Sequence, residues 1–128
     1  MTQKRLLRPE RLRRVPPHFS WLDHRLVREH RFAHCDTPAL ALYLILVTVA
    51  DAQGLSYYSS ASLARLTHLT PEQLHGAREQ LLAAELIAFD PPLYQVLGLD
   101  AEPVTQRAHQ TRSAGELLRQ LLAAGGAQ

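Results

Sequence analysis

The chain has 128 residues, enough for one domain and a modest tail. It is 46% hydrophobic and 20% charged, so it can bury a core, and disorder along its whole length is excluded. A single cysteine, Cys35, excludes a disulfide framework within one chain and fits a reducing, cytoplasmic setting.

The net charge of +2 hides an uneven distribution. Residues 1–34 carry nine basic and three acidic side chains, a net +6, whereas the remainder carries five and nine, a net −4. A basic arm on a mildly acidic body points to a polyanionic partner, or else to a solubilising tail. Lys4, Arg5 and Arg8 near the start are followed by no apolar signal core.

In chain order, residues 1–17 read as a flexible basic arm, because Pro9, Pro16 and Pro17 interrupt any long helix. Residues 18–36 read as an extension that packs on the domain. Its apolar residues are Phe19, Trp21, Leu22, Leu26, Val27 and Phe32, and Leu22 and Leu26 lie one helical turn apart. Thr37-Pro38 opens the first secure helix, with threonine expected as N-cap and proline at the first helical position. This helix is expected to run to about Ala52 and to stop near Gly54. It is apolar nearly all round, so it should be the buried central helix. Its apolar run, Pro38 to Ala50, is too short to span a bilayer, which takes about 20 residues.

Leu55 to Ser59, "LSYYS", reads as a short strand. One side of such a strand should be buried, so Tyr57 and Tyr58 are expected to pack in the core, with stacking on bases the alternative. Ser59 or Ser60 caps a helix bearing Leu63, Ala64 and Leu66 that ends near Thr67. Thr70-Pro71-Glu72-Gln73 starts another helix with a capping-box pattern, expected to bury Leu74, Ala77, Leu81 and Ala84. "LIAF" and "LYQVL" read as a hairpin around Asp90, Pro91 and Pro92. Residues 100–128 read as a polar linker and an amphipathic helix. Ser113 and Glu116 form a capping box there, and Gly125 is a C-cap. Leu117, Leu118, Leu121 and Leu122 form a stripe suited to a homodimer or a protein partner.

The order helix, strand, helix, helix, strand, strand over residues 37–99 resembles a winged helix-turn-helix domain. The resemblance lies in "SLARLTHLTPEQLHGAREQLLAAELIAF", and as a whole it covers about half of the chain. Leu63-Ala64 matches the buried pair of the second helix and Leu69 the apolar residue of the turn. Leu74, Leu81 and "ELI" match the third helix and its exit into the wing. The phrases "HFSWLDHRLV" and "LVTVADAQGLSYYS…PLYQVL" are similar to small bacterial helix-turn-helix proteins found with mobile elements, and to N-terminal domains of plasmid and phage replication initiators. The fold so implied is mainly α with a small β-hairpin, flanked by the arm and the C-terminal helix. The implied function is sequence-specific binding of double-stranded DNA by a regulator, or by an accessory or initiator factor of a mobile element. Two departures stand out. Glu85 occupies the exit position where the family usually has glycine, and the wing tip "DPP" offers no Arg or Lys to a phosphate.

A helical wheel with Leu74, Ala77 and Leu81 inward turns Glu72, Gly76, Glu79 and Ala83 outward, flanked by Gln73, His75 and Gln80. Gln and His hydrogen-bond base edges, and glycine permits close backbone approach. The candidate DNA-contacting residues are therefore Thr70, Gln73, His75, Gly76 and Gln80, with Arg65, Arg78 and arm residues Arg5, Arg8, Arg11, Arg13 and Arg14 for phosphates. The alternative is an adaptor that recruits a protein through the acidic third helix or the leucine stripe.

Enzymatic chemistry finds little support. His24, His30, His34, Cys35 and Asp36 cluster in sequence, but no second ligand pair at zinc-finger spacing backs them. No phosphate loop or nucleophile elbow accompanies Cys35. The expectation is a non-enzyme without metal or cofactor and without a membrane span.

Overall fold

The computed structural model describes residues 3–100. Four α-helices and a three-stranded antiparallel sheet follow one another. They are α1 (Arg25–Arg28), α2 (Thr37–Val49), β1 (Leu55–Tyr57), α3 (Ser60–Thr67), α4 (Pro71–Ala83), β2 (Ile87–Asp90) and β3 (Leu93–Val96). From α2 onward this is the order the sequence predicts. Residues 98–100 begin a second unit, Gly98–Gln128, of which only they are described. The predicted C-terminal helix with Leu117, Leu118, Leu121 and Leu122 lies outside the described residues. Among those residues no helix is long and apolar enough to cross a membrane.

The α2 helix is capped by Asp36 rather than by the predicted Thr37. The Asp36 backbone is extended, and its carboxylate accepts the Ala39 N–H at 3.2 Å, which places Thr37 and Pro38 in the first helical turn. The helix ends at Val49, before the predicted Ala52, because Ala50 turns extended and Asp51 then organises a tight loop. The Asp51 carboxylate accepts from the backbone N–H groups of Gln53 and Leu55. Gly54 closes this loop at φ +85°, and a Cβ there would lie 2.6 Å from the Val96 carbonyl oxygen. Only glycine fits this crossing.

The strand order is β1-β3-β2, with Ser56 opposite Tyr94 and Phe89 opposite Tyr94 on the other side. The β2–β3 connection is Pro91-Pro92, with a cis bond between the prolines. The predicted strand at Leu55–Ser59 is shorter, ending at Tyr57 because Ser59 becomes the N-cap of α3. Its faces also differ from the tyrosine-packing expectation. Ser56 points inward, and Tyr57 is 70% exposed.

Leu42, Leu46, Leu63, Leu74, Leu81, Leu86, Ile87 and Tyr94 form the buried centre, where α2, α3 and α4 meet the sheet. Truncating any of these leucines to alanine costs about 2–5 kcal/mol. Ala84, expected in this core, is a half-buried C-cap.

Three helices end in the same way. His30, His68 and Glu85 have φ of 56°, 61° and 59°, and the residue after each donates its N–H to the carbonyl five positions back. These are Schellman closures built on residues other than glycine.

The segment before α2 packs less than its aromatics suggest. Leu26 is buried and Phe32 meets the Tyr43 ring edge-on at 5.5 Å, but Phe19, Trp21, Leu22 and Val27 are exposed. Ser20 Oγ donates to the Thr48 carbonyl at 3.4 Å, linking this segment to the end of α2.

Candidate nucleic-acid interface

Two short helices and a three-residue turn build the candidate surface. Ser59 caps α3, its hydroxyl accepting the Ser62 N–H. His68 ends α3 in the left-handed conformation, Leu69 follows half-buried, and Thr70 caps α4. Thr70 Oγ1 accepts the Gln73 N–H at 3.1 Å, and Gln73 Oε1 accepts the Thr70 N–H at 2.9 Å. The predicted capping box is therefore present. It occupies one oxygen of each of two predicted DNA contacts, leaving the Gln73 amide NH₂ as that side chain's donor.

With α4 packed through Leu74, Ala77 and Leu81, its opposite face shows Glu72, Gln73, His75, Glu79 and Ala83. Gly76 is half-buried, and a Cβ on it would meet nothing within 4 Å, so the surface above it is open. His75 is exposed and has no hydrogen-bond partner among the described residues.

Two of the predicted contact residues serve the fold. Arg78 Nε donates to Tyr94 Oη at 2.9 Å and its Nη2 to Ser60 Oγ at 3.1 Å. Its guanidinium also lies 4.5 Å from the centre of the Phe89 ring, which stacks on Tyr94 at 4.3 Å. Arg78 thus ties α4 to the start of α3 and to both strands of the hairpin, using hydrogen bonds and a cation–π contact. Gln80 Oε1 accepts the Asp36 N–H at 2.8 Å, and its Nε2 donates to Asp36 Oδ2 at 3.1 Å. It staples α4 to the N-terminus of α2. Neither role was legible in the sequence, because the partners lie 16 and 44 positions away.

Cations remain at the flanks. Arg65 is exposed on α3 with one Nη2 to Ser62 Oγ contact at 3.3 Å. Residues 3–20 are exposed throughout, with a single 3-10 turn at Pro9–Arg11. Arg8 pairs with Glu10 at 2.9 Å, whereas Lys4, Arg5, Arg11, Arg13 and Arg14 make no ion pair among the described residues. The tip of the β2–β3 hairpin, Asp90-Pro91-Pro92, is exposed and carries no cation.

Elsewhere, Arg25 forks onto Asp23, with Nη2 2.8 Å from Oδ2, and holds that carboxyl down at about 2. The Cys35 thiol is pushed up by burial and then by the Asp36 charge, a setting opposite to that of a reactive thiolate. Among the described residues no group of three or more His, Cys, Asp or Glu side chains comes together as a metal cradle.

Compared with protein-family models, with curated proteins and with solved structures, the chain matches none of them.

Proposed function

We propose that the chain is a winged helix-turn-helix protein that binds double-stranded DNA sequence-specifically. The observation that carries this reading is the helix pair α3 and α4, joined by a three-residue turn, packed inward on one side and open on the other. In this reading α4 enters a major groove, where the Gln73 amide, His75 and the open backbone at Gly76 meet base edges. Arg65 and the arm cations neutralise phosphates, and the arm can reach into a minor groove. Arg78 and Gln80 hold α4 in place. The resemblance to proteins of bacterial mobile elements supports a cytoplasmic regulator, or an accessory or initiator factor.

Affinity and specificity then reside in different segments. Each phosphate contact contributes about 0.9 to the salt slope of binding. Deleting residues 1–17 weakens binding to every duplex and flattens that slope by several units. Replacing His75 by alanine leaves the slope unchanged and erodes preference for the best site by about 1–3 kcal/mol. The experiment selects a preferred duplex from a random pool, then titrates salt against that duplex and an unrelated one. Absence of duplex binding near 50 mM salt ends this reading.

A second reading is favoured by the charge on α4. Glu72 and Glu79 lie on its exposed face with Glu85 beyond, and its arginine is turned to the hairpin. Such a face repels phosphate and suits a basic protein surface, so failure of DNA binding leaves an adaptor role for this helix.

A further inference from the structure

A second surface lies between α1 and α2, and no residue of α3 or α4 contributes to it. It is a groove of about 530 Å³. Leu22 and Val27 line it on one side and Leu40 and Leu44 on the other, with Leu26 and Tyr43 buried beneath. The four lining side chains are 38–73% exposed, a concentration of bare apolar surface that marks an interaction site. We propose that this groove docks an acidic amphipathic helix of a partner protein.

The shape argues for a helix. Leu40 and Leu44 are one turn apart on α2, so the wall of the groove repeats at the spacing of a partner's own i, i+4 side chains. The floor is formed by the buried side chains of Leu26 and Tyr43.

The charge argues for acidity. Asp23 and Arg28 both border the groove, but Asp23 is held by Arg25. Arg28 is exposed and has no ion pair among the described residues. The chain runs directly from Leu22 back into the arm, whose six cations face one acid, Glu10, itself paired to Arg8. A helix with carboxylates on its flanks therefore meets Arg28 at the edge of the groove and the longer-range attraction of the arm, and a basic helix meets repulsion.

The probe is a fluorescein-labelled helical peptide of about five turns, with leucines at i, i+4, i+7 and i+11 and glutamates on both flanks. A twin carries lysines in place of the glutamates. Fluorescence anisotropy with the intact chain is expected to give at least about tenfold tighter binding of the glutamate peptide. Leu44→Glu and, independently, Leu40→Gln each weaken it by about tenfold or more, whereas Arg28→Glu narrows or reverses the preference between the twins. Leu44→Glu leaves duplex binding intact, because the groove does not include α3 or α4. Equal affinity for the twins, indifference to both leucine substitutions, or displacement of the peptide by phosphatidylglycerol vesicles overturns the proposal. The last outcome assigns the surface to lipid.

Discussion

Glu85 offers a quantitative test of how the chain leaves α4. Its φ of 59° lies in the left-handed region, yet it closes a Schellman motif in which Glu85 N–H reaches the Leu82 carbonyl and Leu86 N–H the Leu81 carbonyl, each at 3.0 Å. Those bonds are backbone bonds, and the exposed Glu85 side chain makes no hydrogen bond or ion pair among the described residues, so substitution sacrifices no contact. Two costs fall on the residue. A left-handed L-residue is strained by about 1–2 kcal/mol. A negative charge at a helix C-terminus opposes the macrodipole, at about 0.3–1 kcal/mol. Glu85→Ala relieves only the second cost. Glu85→Gly relieves both but returns about 0.4–1 kcal/mol through greater freedom of the unfolded chain. At the middle of these ranges the glycine variant is therefore expected to exceed the alanine variant by about 0.8 kcal/mol, or about 3–6 °C in Tm for a domain of this size. Thermal melts followed by far-UV circular dichroism, checked by urea denaturation, measure that difference. If the two variants melt together, conformational strain at Glu85 is not the determinant, and the left-handed exit from α4 is refuted.

Three further outcomes are expected. Ser56→Ala raises stability by about 1 kcal/mol in urea denaturation, because the buried Ser56 Oγ has no hydrogen-bond partner among the described residues to offset its desolvation. Gln80→Ala lowers stability by about 1–2 kcal/mol through loss of both bonds to Asp36, while the duplex preference of the folded variant stays unchanged. The Asp23 carboxyl titrates near 2 by NMR and returns toward the ordinary carboxylate range in Arg25→Gln. Its folded value is depressed, so the pair's stabilising effect is present above pH 4, fades as pH falls toward 2, and disappears from the pH profile of the variant.

Where neighbours in sequence decided the structure, the sequence was readable. The Thr70–Gln73 capping box, the Ser59 cap and the Asp90-Pro91-Pro92 turn each involve residues within four positions, and each is present. The central helix was equally plain, since a helix apolar on every side must be buried. Errors of boundary arose where two local signals competed. Both Asp36 and Thr37 can cap a helix, and the aspartate prevails while also binding Gln80. The end of α3 at Thr67 was read correctly from the turn that follows it, but what closes the helices was not legible, because glycine is the usual stop signal and here His30, His68 and Glu85 adopt the left-handed conformation instead. Only Glu85 could be suspected, through the position it occupies in the resemblance.

The candidate surface was legible in direction and illegible in commitment. Helical periodicity correctly turned Glu72, Gln73, His75 and Glu79 outward, because the Cα–Cβ vectors follow from spacing alone. It could not say what a long side chain would meet at its far end. Arg78 finds Phe89 and Tyr94, on strands formed later in the chain, and Gln80 finds Asp36, contributed much earlier. Those long-range partners alter the electrostatics of any DNA reading. With Arg78 bound to the hairpin, the exposed α4 face holds Glu72 and Glu79 with no cation of its own, and Arg65 is the one arginine near it on α3. Attraction to phosphate must then come chiefly from residues 1–17. In the proposed DNA-binding reading, a helix whose charges oppose the backbone of DNA still discriminates bases once held close, the arm supplying the proximity and neutral donors the choice.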